Sequence, residues 1–363
     1  MASCGGSSGT ALIWHEGFAG RGFSPIQRSW PRYALGYALL RDTGLLDALH
    51  VHRPAPARRR ELLAVHSAAY LDQLLAADRA GSGVLDYGDT PAWRGVYRRA
   101  RLVAGGSLAM ADLVGRGVVA HAFNPAGGLH HARRDRAAGF CPVNDVVLAL
   151  RRLQHRYGFR RPAVLDVDGH HGDGTQELLS EEPILTLSIH QYDGRFFPRT
   201  GSLEEIGSGP GAGYHLNLPL PRGAGDRAYR AVLERIVEPA LNLYRPDILL
   251  LQYGVDAHAL DPLVGLRLTT RSYQAIAALA HRVAHRHCGG RLLVFSGGGY
   301  HPEAAARCWA VLLSELTGRA PSRPVDDDPS VPGEEPDAVS RTLAMLDQAE
   351  ERLLGPASPL RSG

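Results

Sequence analysis

From about residue 118 onward, short apolar runs alternate with longer stretches whose apolar positions recur every three to four residues. The runs 118–123, 163–168, 184–190, 214–218, 247–253 and 291–295 read as strands, and 143–157, 175–179, 226–244, 270–287 and 302–316 as the helices between them. Such alternation predicts a parallel sheet covered on both faces. Upstream, 10–14 reads as a first strand and 15–31 as a glycine-rich loop, while 32–40 and 44–50 have helical apolar spacing. A Pro/Arg-rich connector spans 53–60, Ser67 caps a helix through Ala76, 80–90 is a loop, and Pro91 opens a long helix to Val114. Neither an internal repeat nor a composition break interrupts the chain before about Gly318, so 1–320 reads as one domain. Residues 321–363 differ: an acidic, proline-rich linker over 321–336 leads to a helix-like segment, 338–354, expected to pack back on the body.

Composition narrows the picture by exclusion. The 363 residues are 44% hydrophobic, enough for a large core, and the formal charge is only +3. No basic block is interleaved with aromatics, so nucleic-acid binding is not indicated. The chain has no lysine, from which no function follows. Cys4, Cys141, Cys288 and Cys308 are scattered and form no Cys-x-x-Cys pair, which argues against a disulfide framework or an all-cysteine zinc site. Without a membrane-length apolar run or a signal-like N-terminus, the expectation is a reduced, cytoplasmic protein with no membrane partner.

The chemistry gathers at the ends of the apolar runs. Residues 163–165 lead into Asp166-Val167-Asp168-Gly169-His170-His171-Gly172-Asp173, at the carboxyl end of a strand, where open parallel sheets place their sites. Asp168 and His170 stand two apart, so on extended backbone both leave one face and can share a metal, with donors suited to zinc or a neighbouring transition metal. Leu250-Leu251-Gln252-Tyr253-Gly254-Val255-Asp256 ends in a further carboxylate, and Asp256 would complete an Asp-His-Asp set. Two carboxylates balance a divalent charge, so a separate general base is needed. His130 and His131, on a glycine-rich loop, supply candidates, and Asp166 and Asp173 are available to orient one imidazole each. Residues 292–295 run into Ser296-Gly297-Gly298-Gly299-Tyr300, where glycines permit close approach and Tyr300 can donate to a developing oxyanion. Taken singly, each feature reads as a cap, a turn or a solvated polar residue. Their combination points to metal-assisted hydrolysis.

Together these strand ends resemble the zinc-dependent histone deacetylase family, within the group that shares a fold with arginases. The likeness is strongest over 124–201 and 250–309. Pro125-Ala126-Gly127-Gly128-Leu129-His130-His131-Ala132, Gly139-Phe140-Cys141 and Val143-Asn144-Asp145 are most similar to the bacterial acetoin-utilisation deacetylase branch. The resemblance implies an α/β fold, a single-domain three-layer αβα sandwich with a central, mostly parallel sheet, and makes 1–320 a deacetylase catalytic domain. The implied activity is hydrolysis of N-acetyl-lysine, in an acetylated protein, or of a related small acetylated amine; an acetylpolyamine or small-metabolite amidohydrolase is the alternative. Carried over residue by residue, it makes Asp168, His170 and Asp256 the Zn2+ ligands, His130 (paired with Asp166) and His131 (paired with Asp173) the catalytic histidines, and Tyr300 the oxyanion donor. It also implies an acyl-lysine channel walled by Gly139, Phe140 and Phe197, with Leu263 and Asp89 at the rim. Structural K+ would sit at Asp166, Asp168, His170, Ser188 and Ile189, and at Leu179, Glu182, Ile184 and Tyr214. Arg32, with Arg28 as competitor, matches an arginine lining an internal cavity.

Leu129 stands where many relatives have glycine, which would reshape the pocket floor. A two-metal ureohydrolase is disfavoured because Gly172 and His258 replace the aspartates its second ion needs. A non-catalytic acetyl-lysine reader is disfavoured because no catalytic group is missing. His171 has no assigned role, and oligomeric state is not readable.

Overall fold

Apolar runs too short to form stable helices alone become eight strands: β1 (Thr10–Ile13), β2 (Leu49–His52), β3 (His121–Asn124), β4 (Pro162–Asp166), β5 (Leu185–Gln191), β6 (His215–Leu220), β7 (Ile248–Gln252) and β8 (Leu292–Phe295). They pair in parallel as one sheet in the order β2-β1-β3-β8-β7-β4-β5-β6. The computed structural model describes residues 9–20, 22–23, 31–326 and 330–362. Arg28 and Cys4 lie outside the described residues.

The helices are α1 (Arg32–Asp42), α2 (Arg59–Leu62), α3 (Ala68–Ala80), α4 (Val96–Gly115), α5 (Asp145–Tyr157), α6 (Asp173–Leu179), α7 (Asp226–Val232), α8 (Glu238–Tyr244), α9 (Thr270–His287), α10 (Pro302–Thr317) and α11 (Pro336–Leu354). Helices α4 and α5 pack on each other and on β1, β3, β7 and β8 from one side; α9 and α10 pack on each other and against the sheet from the other. The result is a three-layer αβα sandwich, as the alternation of runs predicts. Strands β3, β4, β5, β7 and β8 are buried along their whole length, which explains why they read as continuous apolar runs. Helices α7 and α8 join through a π-helical turn, Leu233–Val237, so the helix expected over 226–244 is continuous but locally underwound. Helix α11 packs on α7 and β6, and Arg235 pairs with Asp347 and Glu350 at its surface.

Three boundaries differ from expectation. Residues 44–50 are not a helix: a short turn at Leu46–Ala48 feeds edge strand β2, which is only half-buried and so lacks a buried strand's signature. Pro91 does not open α4; it bridges to Val84, and the helix starts at Val96, where Asp78 of α3 accepts from Gly95 N and Tyr97 N and caps it from outside. Strand β4 stops at Asp166, so Asp168 and His170 lie on a bend rather than on extended backbone.

Candidate active site

The four strands that lead into the candidate residues are consecutive in the sheet: β3, β8, β7 and β4. Their carboxyl ends therefore meet, which turns four separate strand ends into one site. The loop after β3 is fixed from below. Gly128 N and Leu129 N donate to the buried Asp145 carboxylate at 3.1 and 2.7 Å, Gly297 N donates to Gly127 O at 2.8 Å, and Gln252 Nε2 donates to Gly128 O at 2.9 Å. This anchoring brings His130 and His131, both buried, over the end of β4.

Asp168, His170 and Asp256 form a cluster whose donor atoms all lie within 4.8 Å of one another. His170 Nδ1 is 3.2 Å from Asp168 Oδ1 and 2.8 Å from Asp256 Oδ2. Both carboxylates are held from behind, Asp168 Oδ2 by Gly298 N at 2.8 Å and Asp256 Oδ1 by Gly169 N at 2.7 Å. Burial alone would lower the basicity of His170, but Asp168 and Asp256 outweigh it and push its pKa up to about 10. Two buried carboxylates converging on one imidazole nitrogen form a donor set that calls for a cation. A divalent ion fits there, between the Asp168 and Asp256 carboxylate oxygens and the His170 imidazole.

The tandem histidines each meet a carboxylate. His130 Nδ1–H donates to Asp166 Oδ2 at 2.7 Å and His131 Nδ1–H to Asp173 Oδ1 at 2.6 Å, while their Nε2 atoms face each other at 3.0 Å. Their electrostatics differ. Burial depresses His130, but Asp166 and Asp168 override it and carry its pKa up to about 9. His131 goes down to about 4 through burial and then the neighbouring His130 charge. Burial would raise Asp173, yet His131 and Arg133, whose guanidinium donates to Asp173 Oδ2 at 2.7 Å, hold it down to about 2.

Tyr300 lines the same cavity as His130, His131, Asp168, His170, Gly139 and Phe140. Burial, with Asp256 and Asp168 nearby, pushes its hydroxyl pKa well up, so it remains a donor. Gly139 has φ of 50°, and a Cβ there would fall 2.5 Å from His131 Cδ2 and 2.9 Å from Phe197 Cε1, so the wall closes only on glycine. Phe197 packs edge-on to His131 with centroids 5.0 Å apart, and Phe140 lies 6.2 Å from the Tyr300 ring. Leu263 is half-buried, its N–H donating to Asp261 Oδ1. Asp89 is exposed and does not line the cavity; its neighbour Thr90 accepts from Phe140 N at 2.9 Å. Arg32 lines the inner end of the cavity, donating to Gly299 O at 2.9 Å and Tyr33 Oη at 2.8 Å.

His171 points away from the site, buried between Thr200 Oγ1 at 2.9 Å and Gln176 Oε1 at 3.1 Å. Two further carboxylates, Asp145 and Asp261, carry almost no local sequence signal and matter here. Asp145 anchors the histidine loop, and the Val143-Asn144-Asp145 string was its only signal. Asp261 accepts from Tyr300 N at 2.6 Å, and burial together with Asp256 pushes its pKa up to about 8. Its signal was the carboxylate five positions after Asp256.

A parallel α/β sandwich with this constellation at the carboxyl edge of its sheet defines an amide hydrolase of the metal-dependent kind. The histone deacetylase domain matches residues 27–316, and the chain belongs to that family. It is 37% identical over 306 residues to the acetoin utilization protein AcuC of Bacillus subtilis (strain 168), covering 81% of this chain and 78% of that one. It is 39% identical over 285 residues to a histone deacetylase-like amidohydrolase of Pseudomonas aeruginosa, covering 77% and 74%. Among solved structures, the HDA15 HD domain superposes with a TM-score of 0.82 at 27% identity, covering 95% of each chain.

Proposed function

We propose that the chain is a zinc-dependent deacetylase that cleaves the amide of N-acetyl-lysine, or of a related N-acyl amine, to free amine and acetate. The observation that carries this reading is the convergence of the Asp168-His170-Asp256 cluster, both His-Asp pairs and Tyr300 on one cavity. Asp168, His170 and Asp256 would hold one Zn2+, which when bound supplies the Lewis acidity that polarises an acyl carbonyl and lowers the pKa of a water.

The remaining steps belong to the side chains. His131 lies against the channel wall beside Gly139 and Phe197, on the side from which a substrate stem enters. It takes the proton of the attacking water, its Nδ1–H held by Asp173, and returns it to the leaving amine. His130, fixed by Asp166, places its Nε2 3.0 Å from His131 Nε2, so the two rings hold one proton between them as the base and acid of the reaction. The Tyr300 hydroxyl donates to the carbonyl oxygen as negative charge develops. Gly139, Phe140 and Phe197 exclude water from the stem, and Leu263 and Asp89 contribute at the rim.

K+ at Asp166, Asp168, His170, Ser188 and Ile189, and at Leu179, Glu182, Ile184 and Tyr214, belongs to the same reading, as does a catalytic unit spanning 1–320. A cytoplasmic setting fits the free buried thiols of Cys141 and Cys288. Among the described residues, no helix is long and apolar enough to cross a membrane. The test is a side-by-side comparison of kcat/KM for the zinc-loaded enzyme on acetyl-lysine peptides, longer-acyl lysine peptides and acetylated polyamines. A preference for acetyl-lysine is expected. Turnover confined to polyamines would move the substrate to the alternative, and no turnover on any of the three would overturn the reading.

A further inference from the structure

At the amino edge of the sheet, on the side away from the catalytic cluster, three imidazoles face one another. His121 is the first residue of β3, and His281 and His285 stand four apart on α9, so both project from one face of that helix. One ring nitrogen from each lies within 4.8 Å of the other two. His121 Nε2 and His285 Nε2 are 3.3 Å apart, close to the spacing of about 3.3 Å between two nitrogens bound to one tetrahedral zinc at about 2.0–2.1 Å each.

The outer contacts decide which nitrogen of two of these rings carries a lone pair. Thr10, the register partner of His121 on β1, gives its hydroxyl hydrogen to Leu316 O at 3.0 Å. Its oxygen can therefore only accept from His121 Nδ1 at 3.2 Å, which leaves His121 Nε2 unprotonated and facing the cluster. A carboxylate likewise only accepts, so His281 Nδ1–H donates to Glu315 at 2.9 Å, and its Nε2 carries the other lone pair. Glu315 and Leu316 both come from the last turn of α10, so one helix end sets both tautomers. A carboxylate or hydroxyl behind each imidazole is the arrangement that orients histidine ligands around a metal. Burial and the two neighbouring imidazoles push His121 down to about 3, which keeps it in the neutral, ligating form. His121 is buried, His281 half-buried and His285 exposed, so the cluster opens to solvent on one side.

We propose that His121, His281 and His285 form a second metal site, an uncharged all-nitrogen donor set for a borderline divalent cation of the Zn2+, Co2+, Ni2+ and Cu2+ group, with its remaining position open to water. Occupied, it ties α9 to β3 at the edge opposite the catalytic cluster. Its donor chemistry differs from the carboxylate-rich cluster, so the two sites are separable by mutation.

The experiment uses the untagged full chain, stripped with chelator and dialysed against buffer at micromolar free Zn2+, with metal counted by mass spectrometry and affinity measured calorimetrically. Wild type is expected to retain two equivalents. His285→Ala, at an exposed position, retains one and keeps the deacetylase turnover of wild type. Glu315→Gln preserves the fold while weakening the second equivalent by about 10- to 100-fold. Equal stoichiometry in wild type and His285→Ala, or unchanged affinity in Glu315→Gln, overturns the proposal. Loss of turnover in Asp256→Asn with the histidine equivalent still bound separates this site from the catalytic one.

Discussion

At the carboxyl end of β3 the chain delivers His130 and His131 to carboxylates, whereas at its amino end His121 meets a threonine hydroxyl and two other imidazoles. His130, His131 and His121 are all buried, yet His130 is raised to about 9, while His131, beside the charged His130, is lowered to about 4 and His121, among imidazoles, to about 3. Burial opposes the charged form at both ends, so the neighbours decide the outcome. Backbone geometry explains why the neighbours differ. Strand ends at the carboxyl edge open into long loops that bring in Asp166, Asp168, Asp173 and Asp256 from β4 and β7, and glycine N–H groups then stabilise the anions. The amino edge is closed by helix ends, which supply neutral or peripheral partners.

The contrast can be broken most severely by removing one carboxylate from the anionic edge. Asp256→Asn is expected to abolish metal retention at that cluster and to lower kcat/KM by about three orders of magnitude or more, equal to about 4 kcal/mol of transition-state stabilisation. Metal content and turnover measured together check it, and a metal-replete, active variant would sink the ligand assignment. Next in size, Tyr300→Phe should keep metal and fold while lowering kcat by about two orders of magnitude. Unchanged kcat would remove Tyr300 from the chemistry. Smaller again is Asp173→Asn, which leaves His131 in place but frees its tautomer. We expect a loss of about 10- to 100-fold in kcat with little change in KM. A loss confined to KM would show that the pair shapes the pocket rather than moving a proton.

Much of this was legible in the sequence because each catalytic group sits where an apolar run ends, and a buried parallel strand leaves a continuous signal. Asp168 and His170 converge, as their two-residue spacing predicts, but not because the backbone there is extended. The strand stops at Asp166, and the two side chains meet because the bend is held by Gly169 N on Asp256 and Gly298 N on Asp168. Edge strand β2 was not legible, since a half-buried strand with one neighbour carries no apolar period. Asp145 and Asp261 act by anchoring backbone N–H groups on other loops, a relation with no local pattern. The His121 cluster joins residues more than 150 positions apart, and only α9 carries a hint of it, in the spacing of His281 and His285.

His66 tests the contrast in its mildest form, because it is a buried histidine held entirely by backbone. Its Nδ1–H donates to Arg133 O at 2.9 Å and its Nε2 accepts from Asn144 N at 2.9 Å, so the neutral ring satisfies both contacts. A second ring proton would face the Asn144 N–H and cost the bond that positions the start of α5. Burial, the dominant cause, lowers its pKa from 6.5 to about 4. The folded value lies below the unfolded one, so the unfolded chain takes the proton first. The stability conferred by the neutral ring is complete above about pH 6.5 and is lost as pH falls toward about 4. Between pH 7 and about pH 5.5 this one group should remove about 1 kcal/mol. Denaturant midpoints of chelator-treated wild type and His66→Asn at the two pH values isolate it: the variant starts less stable, but its acid-dependent loss is smaller by that amount. Equal losses would mean that His66 is protonated in the fold, and that burial without a carboxylate is not enough to keep an imidazole neutral in this protein.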